Sequence, residues 1–173
     1  MKNKFVLLLI CLIITAIGVY YFMNDLNKEN YTKEFKEEMK TYVVQLNNWS
    51  ETESDIAEDY NKKVVQKAGE EKVRAYDYLK TNIIERTEIL KKEITDYKEK
   101  EKQTKELKEK YVKILDKQLE IYKMYDQAFE EQDEKKFEET KVKFEELKTE
   151  RKKFSDEVNK IMEDLKIEKE KEK

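Results

Sequence analysis

The sequence predicts an all-α protein: an N-terminal transmembrane helix followed by an elongated, antiparallel up-down-up-down four-helix bundle. Three observations predict it. The 173 residues include no proline and two glycines, while 45% are charged, nearly all of them Lys and Glu. That composition leaves long helices as the one regular structure available. An uncharged apolar run, Phe5 to Met23, opens the chain. Behind it, apolar residues recur at alternating steps of three and four, the spacing of helices packed side by side at a shallow angle.

The first element is the anchor. After Lys2 and Lys4 comes FVLLLICLIITAIGVYYFM, about 19 residues, which at ~1.5 Å per residue spans ~28 Å of a hydrocarbon core ~30 Å thick. Tyr20, Tyr21 and Phe22, with Met23, close the distal end where an aromatic belt lies. The basic head, Lys2 and Lys4, favours a cytoplasmic amino terminus and so an extracytoplasmic position for the rest of the chain. A secreted chain, cut near Gly18, is the alternative, since Ala16 and Gly18 offer small residues where signal peptidase inspects them; the run through Met23 is long for such a segment. Cys11 reads as a membrane-embedded thiol rather than a lipid-attachment site, because Leu8-Leu9-Ile10 ahead of it is too bulky for a lipobox. A single cysteine allows no internal disulfide. The chain thus divides into a stub and anchor (1–23), a juxtamembrane linker (24–30), a helical bundle (31–168) and a charged tail (169–173).

Four apolar stripes follow. The first reads Phe35, Met39, Tyr42, Leu46, Trp49, Glu53, Ile56, Tyr60; the second Val73, Tyr76, Ile83, Thr87, Leu90, Ile94, Tyr97. The third is Leu107, Tyr111, Ile114, Gln118, Ile121, Tyr125, Ala128, and the fourth Phe137, Phe144, Leu147, Arg151, Phe154, Val158, Ile161, Leu165. Gly69 is expected to cap the first bundle helix, and Asp133 to open the last. Between the second and third stripes, KEKEKQTKE (98–106) lacks apolar residues but also lacks Gly, Pro and Asn. A turn near Lys102 gives four helices of similar length. One continuous helix from about 70 to 131, in a three-helix spectrin-like rod, is the alternative.

Each stripe is interrupted once near its middle by a residue that is not apolar: Glu53, Thr87, Gln118 and Arg151. Reflected through the turns, these positions fall within about one helical turn, ~5.4 Å, of one another. They predict a polar layer across the core, with Glu53 and Arg151 as its charged pair, serving to fix register. Arg151 is one of three arginines, and its forked donor suits a buried carboxylate better than lysine does. Most aromatic residues read as core; Tyr31, Tyr78, Tyr122 and Trp49 are the candidates for contact with a partner or glycan.

Function is bounded mainly by exclusion. With no histidine and one cysteine, the usual neutral-pH general base and the usual zinc or di-iron ligand sets cannot be assembled. Two distant glycines cannot build a phosphate-cradling loop. No enzyme activity, cofactor or metal is expected. The net charge of -3 without a basic stripe disfavours nucleic acid. The expected partners are the lipid bilayer, through residues 5–23, and a protein of the cell envelope.

The pattern L-x3-YVKIL-x2-QLEIY-x2-Y-x2-AFEEQD-x3-F, from Leu107 onward, resembles the helix-turn-helix of uncharacterised small membrane-anchored or lipoprotein-like helical-bundle proteins of low-GC Gram-positive bacteria. The resemblance implies a fold and a compartment rather than an activity. The resulting expectation is a non-catalytic, membrane-anchored extracytoplasmic interaction module. A small-ligand sensing bundle acting through a partner is the second reading, and a dimeric structural coiled coil the third.

Overall fold

The computed structural model describes residues 31–67, 69 and 71–167. Among them the chain is helical without a strand and forms four rods. The first is α1 (Lys33–Asp59), prolonged by a π-helical segment, Tyr60–Val65. The second runs through α2 (Lys72–Tyr78), a π-helical segment Leu79–Ile84, and α3 (Glu85–Asp96). The third is α4 (Lys102–Glu131) and the fourth α5 (Glu134–Asp164). Thr32 starts the first rod: its hydroxyl oxygen accepts the Phe35 N–H at 3.0 Å, satisfying one of the orphan donors of the first turn.

Side-chain contacts set the directions. Trp49 meets Glu93 and Asp59 meets Arg86, so numbers rise along the first rod as they fall along the second. Lys80 with Asp126 and Lys91 with Asp116 relate the second and third rods in the same way. Lys110 with Glu157 and Lys143 with Glu120 do so for the third and fourth. Consecutive rods are therefore antiparallel, and Tyr60 against Phe144 brings the first rod onto the fourth. All eight residues of the first stripe are buried, from Phe35 through Tyr60.

The second rod departs from the expected phase. Val73 is 74% exposed, and the buried positions are instead Ala75, Leu79, Ile83, Thr87, Leu90 and Ile94. Steps of four would walk a stripe around an α-helix, which closes a turn in 3.6 residues; the wider π turn, with its i→i+5 bonds, absorbs that drift. The same device serves the first rod, where Ile56, Tyr60 and Val64 are all buried and the Gln66 N–H bonds to the Asn61 carbonyl at 3.0 Å. Gly69 does not cap this rod: the helix ends at Val65, and Gly69 is exposed with open space where a Cβ would project.

The single long helix from about 70 to 131 does not form, and with it the three-helix rod is excluded. Tyr97 and Glu101 are extended, with ψ of 134° and 139°. The reason lies on α1, where the Glu38 carboxylate accepts the N–H groups of Lys100 at 2.9 Å and Glu101 at 3.1 Å. From the other side Lys108 Nζ donates to the Tyr97 carbonyl at 2.9 Å and pairs with Glu99 at 2.8 Å. The turn into α5 is local: Gln132 adopts φ 56°, and the Asp133 side chain accepts the N–H groups of Lys135 at 3.0 Å and Lys136 at 3.2 Å.

No helix among the described residues is long and apolar enough to cross a membrane. The expected anchor determinants, Lys2, Lys4, Phe5, Cys11, Tyr20, Tyr21, Phe22 and Met23, and the linker 24–30 lie outside the described residues.

Candidate functional site: a polar layer in the core

Glu53 is 4% exposed, Thr87 0% and Gln118 1%, and the Arg151 side chain is 17% exposed. Three of the four are joined. Arg151 Nη2 donates both to Glu53 Oε1 and to Gln118 Oε1. The second carboxylate oxygen, Glu53 Oε2, accepts the Tyr111 hydroxyl at 2.9 Å. Gln118 Nε2 donates to the Tyr122 hydroxyl at 2.8 Å. Five side chains from the first, third and fourth rods thus share one run of hydrogen bonds.

Thr87 stands apart. Its hydroxyl donates to the Ile83 carbonyl of its own rod at 2.7 Å, the usual resort of a buried Thr in a helix. Tyr111 and Tyr122 are members of the network that the sequence reading missed: Tyr111 reads there as a stripe residue and Tyr122 as a candidate for contact with a partner. The signal that could have found them is a tyrosine hydroxyl one or two turns from a polar seam residue, as Tyr122 and Tyr111 are from Gln118, since a buried carboxylate oxygen needs a donor and a buried amide N–H an acceptor.

Aromatic rings fill the core on both sides of the layer. Toward the start of α1, Trp49 packs edge-on to Tyr97 at 5.3 Å and Tyr111 stacks on Phe154 at 5.4 Å. Toward the other end, Tyr60 meets Tyr122 at 4.8 Å and Tyr125 meets Phe137 at 5.1 Å. Of the residues singled out for contact with partners, Trp49 and Tyr122 are 1% and 0% exposed, so neither presents a surface. Trp49 Nε1 is spent on Glu93 at 2.9 Å. Tyr78 donates its hydroxyl to Asp59 at 3.1 Å and accepts from Lys63 at 2.9 Å, while Tyr31 lies against Phe35.

The two tyrosines and the arginine of the layer hold their protons. Burial pushes the Tyr111 phenol well above its ordinary value, with the Glu53 charge adding to it, and pushes Tyr122 up to about 12. Desolvation pulls Arg151 downward, but the charge and hydrogen bond of Glu53 outweigh it and its pKa is raised. A guanidinium gives up no proton under working conditions, and both Glu53 oxygens already have donors. The arrangement is a closed, internally satisfied set, suited to fixing which residues face one another and unsuited to moving a proton.

Among the described residues no group of three or more His, Cys, Asp or Glu could hold a metal ion. An open groove between α3 and α4 is floored by Leu119 and Met124, but ion pairs of Lys91 with Asp116 and of Lys123 with Glu88 cross it. Comparison of the chain with protein families, curated proteins and solved structures finds no match.

Proposed function

We propose that the chain is a single-pass membrane protein whose four-helix bundle faces outward and serves as a non-catalytic interaction module of the cell envelope, with another protein as its partner. The observation that carries this reading is the uncharged run Phe5 to Met23 set directly ahead of a helical bundle. The bundle's buried polar groups support its non-catalytic part, because Arg151 is spent on both Glu53 and Gln118. A sensing bundle using this layer and Trp49 would have to give up those bonds to admit a ligand, each lost partner leaving a buried polar group at a cost of ~1–3 kcal/mol. A coiled-coil dimer along residues 70–131 would need the continuous helix that the break at 97–101 removes.

The test places one cysteine at exposed Lys152 in a Cys11→Ala background and treats intact cells with a membrane-impermeant thiol reagent. Labelling of protein recovered in the membrane fraction is the expected result. Labelling only after lysis would reverse the orientation and make a cytoplasmic scaffold of the bundle. A shortened chain in the medium would make the apolar run a cleaved signal peptide.

A further inference from the structure

Two buried threonines of this bundle satisfy themselves on their own helix: Thr87 donates to the Ile83 carbonyl and Thr140 to that of Phe137, each at 2.7 Å. Thr104 is as deeply buried, 0% exposed, yet its hydroxyl has no hydrogen-bond partner among the described residues. The cause is its place in the chain. Thr104 lies in the first turn of α4, and one turn back stand Lys100 and Glu101, ahead of the helix, where Glu101 is extended. Its hydroxyl, a donor and an acceptor at once, is therefore offered to the core rather than to its own helix.

A second such hydroxyl lies level with it. Tyr42 is 0% exposed, and its hydroxyl too has no hydrogen-bond partner among the described residues. The first and third rods run parallel, since each is antiparallel to the second. Glu38 accepts the N–H of Lys100, 62 residues on, and the same separation joins Trp49 to Tyr111, whose rings lie 6.4 Å apart. That register brings Tyr42 level with Thr104. Both stand on the buried seams of their helices, Tyr42 between Met39 and Leu46, Thr104 one turn ahead of Leu107. Glu99 approaches from the turn: its side chain is 7% exposed, and its Oε2 pairs with Lys108 Nζ at 2.8 Å without the alignment of a hydrogen bond. Burial raises the pKa of the Tyr42 phenol, with Tyr97 and the Glu99 charge adding to it, so that carboxylate lies within electrostatic reach of the hydroxyl. Two hydroxyls and a carboxylate oxygen at one end of an aromatic core call for a molecule that both donates and accepts. A buried water typically makes about three hydrogen bonds to groups of this kind. We propose that an internal water is bound between Tyr42, Thr104 and Glu99, donating to the carboxylate and bridging the two hydroxyls. It ties the first rod, the third rod and the turn between α3 and α4 into one unit.

The test uses the full chain in detergent. Its crystal structure should show one water within about 2.5–3.0 Å of both hydroxyl oxygens. In solution, oxygen-17 relaxation dispersion detects water held inside a protein for longer than the tumbling time and does not respond to protein hydroxyls. Its amplitude should fall by the contribution of one water in Y42F/T104V, two substitutions that keep the shape of the core and remove both bridged groups. Tyr42 and Thr104 oxygens in direct contact, with no water beside them, would overturn the proposal. An unchanged dispersion amplitude in a folded Y42F/T104V would overturn it as well. The crystal arm needs no substitution and so does not depend on the variant folding.

Discussion

A guanidinium and a carboxylate brought between helices cost stability to desolvate, and either one left alone costs more. Arg151→Met should therefore destabilise the bundle by about 3–5 kcal/mol, because Glu53 stays buried without its cation. Glu53→Gln keeps an acceptor for Arg151, whose side chain is 17% exposed and can still reach water, and should cost less, about 1–3 kcal/mol; urea unfolding followed by circular dichroism ranks the two, and equal effects would mean that the guanidinium is as cut off from water as the carboxylate. Glu53, Gln118 and Arg151 were legible because a polar side chain on an otherwise apolar seam must find a partner across it. Thr87 interrupts its seam as visibly, yet a hydroxyl can satisfy itself on the carbonyl one turn back, so its position carried no information about partners. The tyrosines supply a pH prediction. Burial raises the phenols of Tyr42, Tyr60, Tyr97, Tyr111, Tyr122 and Tyr125, Tyr122 to about 12. Below the unfolded value near 10 both states keep these protons and the stabilisation is complete. As pH climbs from about 10 toward 12 the unfolded chain releases protons that the folded one holds, so stability falls. Phenolate absorbance during alkaline titration should show these groups ionising only as helicity is lost, and smooth titration of all eleven tyrosines in the folded chain would contradict it.

Helices announce their faces in sequence, but their ends depend on what receives the last backbone groups. Asp133 was readable as an N-cap since the acceptor and the two N–H groups it serves are neighbours in the chain. The turn at 97–101 had no such local sign. Its acceptor, Glu38, stands 62 residues away from Lys100, which is why the segment also fitted an unbroken helix. Glu38→Ala should cost about 1–2 kcal/mol, since two N–H groups just ahead of α4 lose a charged acceptor and fall back on solvent. Hydrogen exchange at Lys100 and Glu101 should accelerate by more than at the turn into α5; uniform acceleration would mean that the turn does not depend on this carboxylate. The π segments were half-visible. Steps of four at Ile56, Tyr60, Val64 and at Ala75, Leu79, Ile83, Thr87 are the mark of a locally widened helix, whereas a strict three-four rhythm chose Val73 and Tyr76 and so misplaced the start of the second rod.

At the scale of the whole molecule the question is what selects one alignment of four similar rods. Ion pairs between rods are mostly exposed and are worth about 0–1 kcal/mol each, too little to reject a shifted packing. Apolar seams with a near-heptad rhythm tolerate a slip of one repeat, because an apolar residue then meets another. The layer does not tolerate it: sliding α5 by seven residues takes Arg151 ~10 Å from Glu53 and Gln118 and strands a charge among rings. Replacing the network as a unit, in E53L/Y111F/Q118L/Y122F/R151M, removes that penalty while leaving no member without its partner. The melting temperature of this variant should equal or exceed that of the parent, since apolar packing of similar volume commonly matches or betters a buried ion pair. Its amide spectrum should nevertheless show more than one set of resonances for α5, reporting the alternative alignments that the parent excludes. A single set in a stable variant would mean that the aromatic clusters on either side, Tyr111 with Phe154 and Tyr60 with Tyr122, already fix the register and that the layer is dispensable for it.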